Sequence, residues 1–315
     1  MSKTLHQATF QFEGQTSAYH GKVRDMYRVG GGNIVAVVSD RISAFDVVMP
    51  KGIPYKGQVL NGIASHFLDA VEDIVPTWKK ATPHSQVTIG YACEPIRLEM
   101  VIRGYLTGHA WRTYKTGTRI LCGESMPEGM SEHDAFDEPI ITPATKADEG
   151  HDEDISKTAI LDRKIVSPEL YDELERITRA LFKRGTEMAA EQGLILVDTK
   201  YEFGLLNGEL MLIDEIHTPD SSRYFISEGY AERQKSGVAQ QQLSKEFVRE
   251  WLMEHNFMGL EGQSTPDMPD EFIREITDRY INLYERVTGQ EFVRDPLENL
   301  EQDIQNTVNN WIQEH

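Results

Sequence analysis

The chain has 315 residues, which is enough to bury a large core and favours two lobes. Its formal net charge of -19 argues against non-specific binding to nucleic acid. The two cysteines, Cys93 and Cys122, have neither metal-ligand nor disulfide-framework spacing, which indicates a reducing cytoplasm. The first ten residues lack the pattern of a signal peptide, and no apolar run approaches the ~20 residues that cross a bilayer. We therefore expect no association with a membrane.

Residues 10–47 have the pattern of a small β-sheet, and a glycine-started strand at Gly21 carries two cations. Lys22 and Arg24 are two residues apart, so they share one face of that strand. The segment is not a P-loop, because GxxxxGK[ST] is missing and no helix follows. Exposed Lys and Arg on a strand are ordinary, so the local pattern favours a solvated face over a polyphosphate site.

A polar cluster follows the next apolar strand, and its candidate binding residues are Asp40, Arg41, Ser43 and Asp46. Such a cluster at the end of a strand is typical of a binding loop. A capped turn is the alternative, since Ser and Asp favour turns. A helix is predicted over residues 57–75, and we place the boundary between the lobes at residues 96 and 97.

The segment after this boundary combines an arginine with glycines. Arg103 emerges from an apolar strand and precedes two glycines, which suits an anion clamp that a ligand can approach closely. His109 could act as a base, although a single histidine is more often a structural hydrogen-bonding group. The charged segment 142–152 contains Lys146 and Asp152. A zinc site at His151 is set aside, because no second histidine stands at helical spacing.

The longest predicted helix runs from about Pro168 to Gln192. Ser167 is its expected N-cap, and Gly193 is its expected C-terminal stop. Three further helical segments fill the tail, and the last is expected to begin at Asp295-Pro296. Their apolar stripes are too short for a coiled coil, so we expect them to pack in the core.

A predicted hairpin between residues 194 and 216 carries the densest group of charges. Asp198, Lys200 and Glu202 interrupt its first strand, and Asp214 and Glu215 lie on the return strand. Charges in an apolar sheet cost several kcal/mol each unless they are paired or bind a metal, so this pattern favours a site. A hairpin with one solvated face is the alternative.

The register of this hairpin decides which carboxylates can share a cation. A two-residue Asn207-Gly208 loop would place Glu202 opposite Ile213, with Glu215 next along that face. A three-residue loop, or a bulge at Gly204, would instead place Glu202 opposite Asp214. A metal held by Glu202 and Asp214 therefore predicts the three-residue loop or the bulge.

Six motifs together resemble the phosphoribosylaminoimidazole-succinocarboxamide synthase (SAICAR synthetase) family. In chain order they are GKVRDMY, SDRISAFD, VIRGYLTGHAW, TPATKADEGHD, LILVDTKYEFG and IDEIHTPDSSRY. The resemblance covers about residues 15–260, and several of the motifs are long, which makes chance agreement very improbable. The helical tail is similar to that of the larger members, including the fungal type.

The resemblance implies a two-lobed α+β fold related to ATP-grasp enzymes. Residues 1–96 would form a lobe of mostly antiparallel sheet that binds ATP, and residues 97–315 a larger α+β lobe with the C-terminal helices. The implied reaction joins carboxyaminoimidazole ribonucleotide (CAIR) to L-aspartate in de novo purine synthesis. ATP is the co-substrate and is split to ADP and phosphate, and Mg2+ is required. The larger members favour a monomer.

The resemblance also assigns roles by matching position. Lys22 and Arg24 would bind the phosphates of ATP, and Glu202 and Asp214 would hold magnesium beside the nucleotide. Asp198 and Lys200 would face the imidazole substrate and the transferred phosphoryl group. Lys146, grouped with the ATP contacts, and Asp152, grouped with the substrate contacts, match a mobile loop that closes over the site.

The remaining matched residues concern the substrates. Arg103 and Arg223, with Ser222 beside it, would clamp the phosphate and carboxylate of CAIR. The polar cluster of Asp40, Arg41, Ser43 and Asp46 would line the CAIR or the aspartate pocket, a division that stays open here. His109 replaces the serine that the family commonly has, and its charge depends on pH, so its predicted substrate contact departs from the family pattern.

Two alternatives to the ligase are another ATP-dependent carboxylate-activating or kinase-like enzyme on the same scaffold, and a catalytically silent ATP-binding protein. The first would keep Lys22, Glu202 and Asp214 but would not need both Arg103 and Arg223. The second is disfavoured because every expected charged position is filled.

Overall fold

The computed structural model describes residues 4–7, 9–45, 47–146, 153–243 and 246–315. These residues form two compact units. The first comprises residues 1–66, 78–92 and 244–315, and the second comprises residues 67–77 and 93–243. The units group the helical tail with the N-terminal sheet. The division predicted from the sequence, 1–96 and 97–315, stays a prediction.

The first unit is built on an antiparallel sheet with the strand order β1-β2-β3-β7-β6, beside a short β4-β5 ribbon. Its strands are β1 (Ser17–His20), β2 (Arg24–Val29), β3 (Asn33–Val38), β4 (Ser43–Ala44), β5 (Val47–Val48), β6 (Lys79–His84) and β7 (Val87–Tyr91).

The second unit is built on a larger antiparallel sheet with the order β11-β8-β13-β15-β16, in which β12 also pairs with β8 and β14 with β13. Its strands, including a separate β9-β10 ribbon, are β8 (Glu94–Tyr105), β9 (Ile120–Leu121), β10 (Glu124–Ser125), β11 (Ala135–Ile141), β12 (Ala144–Thr145), β13 (Leu194–Leu206), β14 (Glu209–Ile213), β15 (Ser222–Ile226) and β16 (Gln242–Leu243). Antiparallel sheets with separate helices confirm the predicted α+β class.

The helices of the two units are, in chain order, α1 (Lys56–Ala70), α2 (Gly108–Lys115), α3 (Lys157–Asp162), α4 (Pro168–Glu191), α5 (Tyr230–Ser236), α6 (Glu246–Glu254), α7 (Asp270–Thr288) and α8 (Leu300–Glu314). Among the described residues, no helix is both long and apolar enough to span a membrane.

The predicted ends of α4 are confirmed. Ser167 Oγ accepts a hydrogen bond from the Leu170 N–H at 3.2 Å, and Gly193 has a positive φ of 67° just after the helix. The helix buries a stripe that includes Leu174, Ile177 and Leu181. This stripe packs against β13 and β8, the two strands that carry most of the predicted site.

The tail helix α8 packs in the core of the first unit. Its buried residues Leu300, Ile304 and Val308 belong to the same apolar cluster as Val35 of β3 and Ile89 of β7. The helix begins at Leu300, after Asn299 in the left-handed conformation, and not at the expected Asp295-Pro296. The expectation that the tail stripes are core is confirmed for this helix.

Candidate active site

The candidate site lies on one face of the second unit's sheet and is centred on β13. Asp198 of β13 stands directly opposite Arg103 of β8 on one side and Arg223 of β15 on the other. Antiparallel partners share a face, so the three side chains converge. Asp198 Oδ2 accepts hydrogen bonds from Nη1 of both arginines, at 3.4 Å from Arg103 and at a shorter distance from Arg223.

This Arg–Asp–Arg group is largely removed from water. Arg103 and Asp198 are 7% and 4% exposed, and Arg103 Nε also donates to Thr142 Oγ1 at 2.8 Å. Burial lowers the pKa of Arg103, while the carboxylate of Asp198 acts in the opposite direction. Next to the group, Ser222 is buried, and its Oγ lies 2.7 Å from Thr199 Oγ1. Two guanidinium groups therefore contact the same carboxylate oxygen of Asp198.

The motif glycine Gly108 lets Arg223 reach this position. A Cβ atom at Gly108 would lie 2.6 to 2.7 Å from the guanidinium of Arg223, closer than real Cβ contacts. Gly108 also has a φ of +60°, which side-chain-bearing residues adopt at a cost. The glycine begins α2, a helix that the sequence did not predict.

A second charged group follows along the same face. Glu202 of β13 stands opposite Glu99 of β8, and both are buried. Lys200 Nζ donates to Glu99 Oε1 at 2.5 Å and to Glu202 Oε1 at 3.4 Å, and Lys146 forms an ion pair with Glu202 Oε2. We call Glu99, Lys146, Lys200, Glu202 and Asp214 the carboxylate–lysine cluster.

The pKa values in this cluster reflect its excess of carboxylates. Burial acts to lower the pKa of Lys146 and of Lys200. The negative charges of Glu202 and Asp214, with Glu99 in the case of Lys200, outweigh this effect and raise both values. Both lysines are therefore held in the charged form. Three carboxylates and two ammonium groups leave one net negative charge in the cluster.

The register that a metal held by Glu202 and Asp214 predicts for the hairpin, with a three-residue loop or a bulge, is wrong, and the two-residue alternative is the one observed. Glu202 pairs with Ile213, and Leu206 pairs with Glu209, so β13 and β14 join through the two-residue Asn207-Gly208 turn. Both turn residues have positive φ, as a tight turn of this kind requires. A register shift does occur beside Gly204, but it lies in the pairing of β13 with β8.

This register places Ile213, and not Asp214, opposite Glu202, and the assignment of Asp214 as a magnesium ligand stays a prediction. Regular pairing ends at Ile213, and Asp214 has a φ of +62°, so strand alternation does not set the direction of its side chain. Its charge acts on both Lys146 and Lys200. Glu215, the alternative partner of Glu202, accepts a hydrogen bond from Thr218 Oγ1 at 2.5 Å within the following turn.

His109 is paired with a residue that the sequence did not single out. Its Nε2 lies 2.6 Å from Asp154 Oδ2, and both side chains are about two-fifths exposed. The hydrogen bond with His109 lowers the pKa of Asp154. The predicted site residue Asp152 lies outside the described residues.

The predicted residues of the first unit differ in exposure. Lys22 is exposed, and Arg24 and Ser43 are half-buried, whereas Asp40 and Arg41 are buried. Asp46 lies outside the described residues. The substrate contacts predicted for this cluster stay predictions.

Asp40 is completely buried, and its carboxylate is engaged within the first unit. It accepts the Leu5 N–H at 2.8 Å and the Gly57 N–H at 2.9 Å, the latter at the start of α1. Burial raises the pKa of Asp40 to about 6, although both hydrogen bonds and the charge of Lys56 act to lower it.

Glu99 is the residue of the cluster that sequence reasoning missed. It stands four positions before Arg103 in β8 and so lies on the same face as that arginine. That spacing was visible in the sequence. Its partners Lys200 and Glu202 are about one hundred residues away, so nothing local distinguishes Glu99 from a solvated glutamate.

The donor set is suited to magnesium without forming a complete cage. Carboxylate oxygens are the ligands that Mg2+ prefers, and it often binds one or two carboxylates together with substrate phosphates. Among the described residues, no group of three or more His, Cys, Asp and Glu side chains could hold a metal ion alone. Glu202 and Asp214 fit the mode in which a phosphate completes the coordination.

Comparison with known proteins gives consistent matches. A sequence profile of the family described as SAICAR synthetase matches residues 17–264. Two proteins named phosphoribosylaminoimidazole-succinocarboxamide synthase are similar over nearly the whole chain. The one from Bacteroides thetaiotaomicron is 58% identical and that from Flavobacterium psychrophilum 54%, each match covering 98% of this chain and 99% of the relative. The solved SAICAR synthase from Saccharomyces cerevisiae, complexed with SAICAR, has a TM-score of 0.77 at 31% identity, covering 91% of this chain and 99% of that one.

The fold and these matches to known proteins together define the class of this protein, which is that of the ATP-dependent ligases of purine biosynthesis. The chain belongs to the SAICAR synthetase family. Because the Bacteroides protein matches over 99% of its own length, the longer helical tail is not confined to the fungal type.

Proposed function

We propose that this protein joins CAIR to L-aspartate and releases SAICAR, ADP and phosphate. The observation that carries the proposal is the alignment of two charged groups on one sheet face, within a chain of this family. The Arg103–Asp198–Arg223 group offers two guanidinium groups for anionic substrate groups. The carboxylate–lysine cluster offers ammonium groups and carboxylates for phosphoryl transfer and magnesium.

The chemistry needs such a site because a carboxylate is a poor electrophile. Transfer of the terminal phosphoryl group of ATP to the carboxylate of CAIR would give an acyl phosphate, which has a good leaving group. The amine of aspartate then attacks the acyl carbon, the amide bond forms, and phosphate leaves. The protein has to position the reactants and balance their charges, and it needs no nucleophile of its own.

Arg103 and Arg223 would bind the phosphate and carboxylate of CAIR through paired N–H donors. Asp198 would face the imidazole substrate as a catalytic residue, and it would also orient both arginines from the strand between them, next to Ser222. His109 would lie beside the nucleotide substrate, where Asp154 fixes the direction of its ring.

Lys200 and Lys146 would stabilise the charge on the transferred phosphoryl group, and Glu202 and Asp214 would hold magnesium against the ATP phosphates. Bound magnesium would neutralise negative charge on the phosphate oxygens. Lys146 and Lys200, which pair with Glu202, would then also contact the phosphates. Raised pKa values keep both ammonium groups charged for this role at neutral pH.

Lys22 and Arg24 of the first unit would bind the phosphates of ATP, and the exposure of Lys22 supports this assignment. Ser43 and Asp46 would contribute to the CAIR or aspartate pocket, and Asp152, with Lys146, to the loop over the site. We further propose that the protein is a cytoplasmic monomer with lobes 1–96 and 97–315. Sedimentation at micromolar concentration tests the monomer.

The test is phosphate release from ATP with CAIR and L-aspartate together, and then with each omitted. We expect release coupled one-to-one with SAICAR formation when both are present, and loss of that coupled turnover when either is omitted. Full turnover without aspartate would indicate the kinase-like alternative, and no turnover with both substrates would contradict the ligase. Omission of Mg2+ should abolish turnover.

A further inference from the structure

The segment Gly21–Arg24, which carries the two proposed phosphate-binding cations, is held by hydrogen bonds to its backbone carbonyls. The Gly21 N–H donates to the Arg24 carbonyl at 2.8 Å. A Cβ atom at Gly21 would lie 2.7 Å from that oxygen, so this turn requires glycine. The Val23 carbonyl accepts from the N–H and the Oγ of Ser39, at 2.9 and 2.5 Å.

Arg41 holds the two remaining carbonyls at the start of this segment. Its Nη2 donates to the Gly21 carbonyl at 3.0 Å, and its Nε donates to the Lys22 carbonyl at 3.2 Å. Its Nη1 also donates to the His6 carbonyl at 3.0 Å. A bidentate pair with buried Asp25, at 2.7 and 3.2 Å, completes the set. Ser39 and Arg41 therefore bind the carbonyls of Gly21, Lys22 and Val23.

The geometry uses the full donor capacity of this arginine. A guanidinium has five N–H donors in a fixed plane, and Arg41 makes five hydrogen bonds. The side chain is 10% exposed. A direct contact with CAIR or aspartate would require the loss of one of these bonds, which is costly for a buried charged group.

We propose that Arg41 is a positioning residue for ATP. It fixes the backbone of Gly21 and Lys22 so that the exposed Lys22 side chain is presented to the nucleotide phosphates. This role replaces a direct substrate contact of Arg41 and rests on the proposed function of Lys22. Lysine cannot substitute for it, because an ammonium has three donors at one point and cannot span five separated acceptors.

The test is a double-mutant cycle between Arg41→Lys and Lys22→Ala, with the dissociation constant of ADP measured by calorimetry on the whole chain. We expect Arg41→Lys to weaken ADP binding about tenfold, the size expected for disruption of buried hydrogen bonds. Lys22→Ala should weaken it at least as much. The double variant should bind no more weakly than Lys22→Ala alone, because Arg41 acts through Lys22. The exposed Arg28→Lys on β2 is the matched control and should bind ADP like wild type.

Steady-state kinetics separate positioning from substrate contact. In Arg41→Lys the KM for ATP should rise about tenfold, while those for CAIR and aspartate stay within about twofold. A specific rise in the KM for CAIR or aspartate would overturn the proposal, and so would additive losses of ADP affinity in the cycle. Wild-type ADP binding by Lys22→Ala would refute the assigned role of Lys22 and the positioning role with it. Failure of the ligase proposal has a different signature, the absence of SAICAR formation by the wild-type protein.

If the circular dichroism melt shows that Arg41→Lys does not fold, a second variant, Asp25→Asn, tests the proposal. Asp25→Asn keeps the three bonds from Arg41 to backbone carbonyls and weakens the bidentate pair. Asp25→Asn alone should weaken ADP binding about threefold. Combined with Lys22→Ala, it should bind ADP no more weakly than Lys22→Ala alone. Unchanged ADP affinity in Asp25→Asn would contradict the proposal.

Discussion

Replacement of Glu202 by glutamine tests the carboxylate–lysine cluster most directly. Glu202 is 5% exposed and pairs with both Lys146 and Lys200. Glutamine keeps the shape of the side chain but removes its charge, so the single net negative charge of the cluster disappears. The proposed magnesium would lose one of its two protein carboxylates, and both lysines would lose a partner.

The expected loss follows from the proposed role of Glu202 in holding charge at the reacting phosphate. Removing one group that stabilises charge in the transition state costs about 3 kcal/mol. At about 1.4 kcal/mol per factor of ten, this predicts a fall in kcat/KM of at least ~100-fold. Stability should change little, by about 1 kcal/mol, because the substitution also removes repulsion between Glu202 and Glu99.

The assay is SAICAR formation at saturating Mg2+, with urea unfolding of the same preparations. Glu209→Gln is the matched control, since Glu209 is exposed on the same hairpin and should keep wild-type rates. Wild-type activity in Glu202→Gln would refute the metal and phosphoryl-transfer assignment. A large loss of stability would show that the inactive variant reports on folding instead.

Three further substitutions test other parts of the structure. Gly108→Ala should displace the Arg223 guanidinium and raise the KM for CAIR about tenfold. An unchanged KM for CAIR would exclude a contact between Arg223 and CAIR. Asp198→Asn should lower the free energy of unfolding by about 3 kcal/mol in urea titrations, because two close arginines lose their shared counter-charge. For Asp40, folding raises the pKa above the unfolded value, so protonation favours the folded state at low pH and this gain is lost as pH rises through about 6. The stability difference between wild type and Asp40→Asn should therefore shift by about 1 kcal/mol in favour of wild type between pH 7 and pH 5, and a constant difference would contradict the raised pKa.

Local features of the fold were predictable because they depend on neighbouring residues. The cap at Ser167 and the stop at Gly193 follow from hydrogen-bond geometry within a few residues. The turn at Asn207-Gly208 follows from its need for positive φ. Helix α2 was missed because Gly108 is unusual as a first helical residue. Glycine is needed at this position because the guanidinium of Arg223 packs against it, and Arg223 lies more than one hundred residues later in the chain.

The register that the metal site was expected to require is wrong for a specific physical reason. Alternation along a strand predicts side-chain direction only while the strand pairing continues. Pairing ends at Ile213, and the left-handed conformation of Asp214 then redirects the chain. The correct two-residue turn and a carboxylate acting on Lys146 are therefore compatible. The sequence did not indicate this conformation of Asp214, because residues other than glycine rarely adopt positive φ.

Two arginines that look alike in the sequence differ in how many of their donors the protein itself uses. Arg41 follows the apolar strand β3, Arg103 lies near the end of β8, and both belong to motifs of charged and small residues. Arg41 uses all five N–H donors on backbone carbonyls and Asp25. Arg103 uses two within the described residues, on Thr142 and Asp198. A buried guanidinium with unused donors is stabilised by an anionic ligand, whereas a saturated one stabilises the backbone around it. Residue type and motif position indicate that an arginine matters, and the bonds it makes decide whether it binds a ligand or positions the residue that does.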